Sequence, residues 1–246
     1  MQLTERVHLV GSGQVGFDLT NPYDCHVYLV DGGTDMALID AGVGLDSDAI
    51  LGNVVAAGLD PARIGDVLLT HAHADHAGGA ADLKVAPGAT VRAPRSAVAW
   101  LEMADEEAVS LGAARRAGVY PSDYHLTPCA AVQGMDDGDT IAVGDLKLRV
   151  IDTPGHAAVH QSFLLSGDTR PALFGGDVVF HGGRVLLLNT PDCSISDLGR
   201  SLARLRDEAF EALFPGHGAV SLQRGRLHVE AALEAFERMG VPPPFL

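Results

Sequence analysis

The chain has 246 residues, 47% of them hydrophobic, which is enough apolar side chain for one large α/β core. Its formal net charge of −15 and isoelectric point near 4.9 repel phosphate backbones and argue against a nucleic-acid partner. Three well-separated cysteines without a CxxC exclude a disulfide framework and fit a reducing cytosol.

In chain order, the first quarter reads as short strands: RVHLV at 6–10, CHVYLV at 25–30 and MALIDAG at 36–42. The last two are joined by the turn signal DGG at 31–33. DSDAILGNVVAAGLD, 46–60, has helical apolar spacing between an Asp/Ser start and a Gly near its end. GDVLLT at 65–70 is a buried strand that runs straight into HAHADHAGG, and GATVRAP at 88–94 is another strand. Residues 95–118 read as two helices broken near Ala104, and 119–129 as loop. Strands resume over 139–156 with a hairpin turn at 144–145, then QSFLLSG and PALFGGDVVF. An amphipathic helix covers 195–209, FEALFPGHG is strand then loop, and a helix over 221–239 closes the chain. Two β-rich halves with interspersed helices predict a layered α/β sandwich with the helices outside. The first residues carry no apolar signal-peptide core, and no apolar run approaches about 18 residues. The expected compartment is the cytoplasm.

Four lone-pair donors, His71, His73, Asp75 and His76, fall within six positions directly behind an apolar strand. His71 and His73, at i and i+2, point to one side of an extended segment and can share a cation. A closed site needs donors from further segments. His156, Asp177 and His217 each follow an apolar strand and small or turn-forming residues. Five of the eleven histidines therefore occupy equivalent places in their segments. Burying so many polar groups at strand ends for packing alone would be costly. Imidazole and carboxylate donors suit zinc, iron or manganese.

HAHADH at 71–76, TPGH at 153–156, GGD at 175–177 and PGHG at 215–218, preceded by LIDAG at 38–42, together resemble the metallo-β-lactamase-fold hydrolases. All seven donor positions are filled as in the dinuclear hydrolases that resemble glyoxalase II, and the resemblance covers about residues 6–235. The resemblance implies a four-layer αββα sandwich, a single domain over 1–246 with a helical insertion at about 95–128. It implies that His71, His73 and His156 bind one metal, that Asp75, His76 and His217 bind a second, and that Asp177 bridges them. Asp75 and Asp177 are then the catalytic carboxylates, and Asp40 orients a ligand histidine. The implied cofactors are two divalent ions, zinc first, with iron or manganese as alternatives. A metal-bridging hydroxide would cleave an acyl thioester, lactone or related carboxylic ester. Two alternatives remain open: a mononuclear iron enzyme similar to persulfide dioxygenases, using His71, His156 and Asp177, and a β-lactam hydrolase. The expected partner is a small-molecule acyl substrate, with no nucleic acid and no membrane; a homodimer is left open.

Other residues carry weaker signals. Trp100, Met103, Tyr120 and Tyr124 in the insertion read equally as local packing or as a lid with an apolar substrate pocket. His181 and Asn189, after Asp177, are candidates for substrate contact. His160 stays without an assigned role. Cys25 reads as a small buried residue, and the run EMADEE at 102–107 as a solvated helix face.

Overall fold

The computed structural model describes residues 1–84 and 89–246. Gly88, the expected start of the strand GATVRAP, lies outside the described residues. The chain forms two compact units, Met1–Met135 and Asp136–Leu246.

In the first unit a six-stranded sheet runs in chain order: β1 (Val7–Gly11), β2 (Val27–Asp31), β3 (Met36–Ile39), β4 (Ile64–Leu68), β5 (Thr90–Pro94) and β6 (Gln133–Met135). β1, β2 and β3 form an antiparallel meander, and every pair from β3 to β6 is parallel. β2 and β3 are buried throughout except at Asp31, as continuous apolar runs covered on both faces should be. Helix α1 (Ser47–Ala56) carries the crossover from β3 to β4 and buries Ile50 and Val54, four residues apart on one face. Two short helices, α2 (Ala74–Ala77) and α3 (Ala80–Leu83), follow β4.

The parallel pairing puts the carboxyl ends of β3 and β4 at one edge. Asp40 is the first residue beyond β3 and His71 lies three residues beyond β4. Asp40 adopts φ +62°, a left-handed conformation that aspartate tolerates better than most residues. Gly78 and Gly79 behind the histidine cluster have ordinary helical φ, −60° and −85°. What requires glycine there is closeness: a Cβ would stand 2.2 Å from the carbonyl oxygens of Val43 and Ala41 respectively.

The insertion contains α4 (Val98–Met103) and α5 (Leu111–Arg116), with Ala104 ending α4 at φ +49°, the expected break. The run EMADEE is not a purely solvated face. Glu102 accepts the Val132 amide at 3.1 Å. Glu106 accepts the Leu126 amide at 3.3 Å, pairs with His125 Nδ1 at 2.9 Å and forms an ion pair with Arg115. Partial burial opposes ionisation of Glu106, but the bonds from His125, Leu126 and Arg115 outweigh it and hold its carboxyl below the usual range.

The second unit holds β7 (Thr140–Val143), β8 (Leu146–Asp152), β9 (Gln161–Ser166), β10 (Ala172–Gly176), α6 (Ile195–Arg206), β11 (Ala212–Pro215) and α7 (Arg226–Glu237). Its five-stranded sheet is ordered β11-β10-β9-β8-β7; β10 and β11 are parallel and the other pairs antiparallel. α6 starts where Ser194 accepts the Asp197 amide at 3.3 Å. Leu198, Leu202 and Leu205 form its buried stripe, packed with Val229, Ala232 and Leu233 of α7 and with Leu173 and Leu213. Each such leucine contributes about 1.5–3 kcal/mol of burial. The carboxyl ends of β8, β10 and β11 share one edge, because β8 and β10 are each antiparallel to β9 and β10 runs parallel to β11. His156, Asp177 and His217 follow those three ends.

Cys25, Cys129 and Cys193 are free thiols. No helix among the described residues is long and apolar enough to cross a membrane.

Candidate metal centre

In the first unit, one buried carboxylate organises two histidines. Asp40, 2% exposed, accepts the Thr70 amide at 2.7 Å and lies 2.9 Å from Thr70 Oγ1 and 2.9 Å from His76 Nδ1. Thr70 Oγ1 also lies 2.9 Å from His71 Nδ1. An ionised carboxylate only accepts, so the threonine proton goes to Asp40 and the hydroxyl oxygen is left to accept from His71 Nδ1–H. His76 Nδ1–H donates to Asp40 directly. Both rings are thereby fixed in the tautomer whose lone pair is on Nε2. His71 and His76 are fully buried, with ring centroids 4.1 Å apart, and the half-buried His73 ring stands 4.6 Å from that of His71. Asp75 turns Oδ2 towards His76 Nε2 at 3.6 Å.

Cys25 belongs to the same buried neighbourhood, its sulfur within 4.8 Å of donor atoms of Asp40 and His76. Burial pushes its thiol up to about 12, so it packs as a neutral group. The Asp40–His76 contact beside it is a hydrogen bond, which accounts for both atoms without a cation.

In the second unit, His156 Nδ1 lies 3.0 Å from the Leu186 carbonyl. A carbonyl only accepts, so Nδ1 carries the proton and Nε2 again keeps the lone pair. That Nε2 is 3.5 Å from Asp177 Oδ2, and His217 Nε2 is 3.6 Å from the same oxygen. His156 and Asp177 are 1% and 2% exposed. His160 holds the backbone of this half: its Nε2 accepts the Asp177 amide at 3.1 Å, which places its proton on Nδ1, 2.8 Å from Thr153 Oγ1.

Do these donors fit divalent cations? Contacts of 3.5–3.6 Å are longer than hydrogen bonds. Ligand atoms about 2.0–2.2 Å from a tetrahedral zinc lie roughly 3.3–3.6 Å apart. The spacing within each half is thus compatible with donors sharing an ion. Imidazole and carboxylate donors match zinc, iron or manganese chemistry, with no thiolate to favour a softer metal.

The structure separates the remaining candidates. Tyr120 donates to Asp75 Oδ1 at 3.0 Å, and Tyr124 donates to the Val43 carbonyl at 2.8 Å. Burial first, and then the charge of Asp75, push both phenols above their ordinary range, so both remain donors. Trp100 is half-buried and Met103 largely exposed on α4. His181 is exposed and stacks at 4.6 Å on His228, whose Nδ1 accepts the Gly182 amide at 3.0 Å and whose Nε2 lies 2.6 Å from Ser221 Oγ. These contacts tie His181 to α7 and not to a donor. Asn189 is exposed on the loop beyond Leu186.

Two residues near donors had no signal in the sequence. Thr70 became visible as a relay only once Asp40 stood beside it. Phe245 stacks on Phe180 at 4.0 Å and sits 6.4 Å from the His217 ring, held by backbone bonds between Val185 and the segment Pro243–Phe245.

The model of the metallo-beta-lactamase superfamily matches residues 20–217. The chain belongs to that superfamily. Its fold is the metallo-beta-lactamase fold: a metallo-beta-lactamase of Cronobacter sakazakii with a HARLDQ motif superposes with a TM-score of 0.70 at 23% identity, covering 95% of this chain and 93% of that one. A hydroxyacylglutathione hydrolase of Methylococcus capsulatus is 35% identical over 58% of this chain and 44% of its own length. An atrochrysone carboxyl ACP thioesterase of Aspergillus chevalieri is 31% identical over 89% of this chain and 58% of its own length. The chain spans 36% to 58% of the length of these and several other curated relatives that it matches.

Proposed function

We propose that the protein is a dinuclear metal-dependent hydrolase acting on an acyl thioester, with a lactone or related ester as the next class. The observation that carries this reading is the Asp177 carboxylate oxygen flanked by His156 Nε2 and His217 Nε2 at 3.5 and 3.6 Å. Those separations are longer than an ordinary hydrogen bond and fit donors that share an ion. On this reading His71, His73 and His156 would hold one ion, Asp75, His76 and His217 the other, and Asp177 would serve both. When bound, the ions supply a nucleophile from water at neutral pH and polarise the acyl carbonyl. The protein's own contribution is orientation. Asp40 and Thr70 set the His71 and His76 tautomers, the Leu186 carbonyl sets that of His156, and His160 fixes the Asp177 backbone. Hydrolysis adds water across the acyl–sulfur bond and releases a carboxylic acid and a thiol.

The thioester is placed first because curated relatives named as a hydroxyacylglutathione hydrolase and as an ACP thioesterase are similar to this chain. Zinc is the first metal to test, with iron and manganese next. The test is kcat/KM of zinc-reconstituted protein on matched substrates, an acyl thioester and an acyl lactone, with Asp177→Ala as the blank. A value above roughly 10⁴ M⁻¹s⁻¹ on the thioester, abolished in the variant, is expected. Full activity in Asp177→Ala would overturn the mechanism. Oxygen consumption with a persulfide and one iron per chain would replace it with the iron oxygenase reading.

A further inference from the structure

We propose that Tyr120 is a positioning residue of the metal centre: its hydroxyl fixes Asp75 and thereby sets the affinity for one of the two ions. The inference rests on the reading of Asp75 and His76 as ligands of that ion.

The two oxygens of Asp75 face different groups. Oδ1 accepts from the Tyr120 hydroxyl at 3.0 Å, while Oδ2 lies 3.6 Å from His76 Nε2. The terminal torsion of an aspartate is broad, so its own rotamer preference does not hold Oδ2 towards the imidazole. The Asp75 carbonyl accepts the Cys25 amide at 3.2 Å, which ties down the backbone of the four-residue α2 but does not itself fix the carboxylate torsion. The phenol bond supplies a constraint on Oδ1 from a segment 45 residues further along the chain.

Tyr120 is itself held by contacts that do not use its hydroxyl. Its ring packs against Tyr23 at 5.8 Å and Tyr124 at 5.5 Å, and Tyr124 is anchored to the Val43 carbonyl at 2.8 Å. Replacing Tyr120 by phenylalanine removes the bond to Asp75 and keeps the aromatic packing. The insertion is therefore more than a cover. It reaches the metal centre through one oxygen atom, and losing that atom should register in metal binding before it registers in folding.

The experiment titrates zinc into the apoprotein against a chromophoric chelator, for the parent, Tyr120→Phe and Asp75→Asn, with a thermal melt of each apoprotein. Tyr120→Phe should weaken one of two binding steps by about tenfold or more, the scale for loss of a ligand's hydrogen-bond partner. The other step and the apoprotein melting temperature should stay as in the parent, and Asp75→Asn should abolish the same step. Two unchanged steps in Tyr120→Phe, with one step lost in Asp75→Asn, would overturn the proposal and leave Asp75 a ligand. Equal weakening of both steps with a lower melt would also overturn it, in favour of a packing role. Two intact steps in Asp75→Asn would remove the ligand reading on which it rests.

Discussion

In the N-terminal unit four donor residues arrive on six consecutive positions behind one strand; in the C-terminal unit three donors arrive singly, each behind a different strand. The two solutions need different support. A contiguous cluster on a turn cannot have each ring aimed by its own strand, so one buried carboxylate, Asp40, sets two rings at once, directly at His76 and through Thr70 at His71. The dispersed half is aimed by the sheet edge. It needs only local fixings, the Leu186 carbonyl for His156 and His160 for the Asp177 amide.

That contrast predicts unequal costs. Asp40→Ala should be the more damaging orienting substitution. It leaves the Thr70 amide and His76 Nδ1–H without their acceptor in a buried site, about 1–3 kcal/mol for each group. On the proposed ligand set His71 and His76 serve different ions, so the substitution should weaken both zinc-binding steps, each by about 10–100-fold. Chelator titration and thermal denaturation read these two effects; loss confined to one step would break the idea of a shared organiser.

His160→Ala should cost less. It leaves one buried backbone amide without its acceptor, about 1–3 kcal/mol of stability, removes the contact to Thr153 Oγ1, and should lower zinc affinity by less than Asp40→Ala does. A larger loss than Asp40→Ala would reverse the comparison.

The smallest effect concerns the insertion. Glu106 has a folded-state pKa below its unfolded value, so its stabilising contribution is present above the unfolded value, about 4.3, and is lost as pH falls through the folded one. Its partners are part-exposed, so the contribution is small. Limited proteolysis within 95–128 should accelerate as pH falls below about 4, and Glu106→Gln should show that faster cleavage already at neutral pH. Equal cleavage rates for the two proteins at neutral pH would contradict the assigned role.

The same contrast explains what could be read in advance. The strands other than β6, the break at Ala104 and the placement of His71, His73, Asp75, His76, His156, Asp177 and His217 behind apolar strands were legible, because periodicity and turn residues are local signals; Gln133–Met135 is too short to show a period. Asp40 was legible through its place in LIDAG. The link from Tyr120 to Asp75 was not, because it depends on the path the insertion takes through space, and no spacing encodes that path. Glu106 misled for a related reason: a charged residue in an acidic run resembles a solvated face until His125, Leu126 and Arg115 arrive from beyond it. Phe245 lies 28 residues past His217 in sequence and meets it only through pairing with Val185.

The most direct measurement is the metal content of zinc-reconstituted protein by elemental analysis, for the parent and Asp177→Ala side by side. The account predicts two zinc ions per chain in the parent and at most one in the variant, since Asp177 serves both. One ion per chain in the parent, or two in the variant, would contradict a dinuclear centre bridged by Asp177.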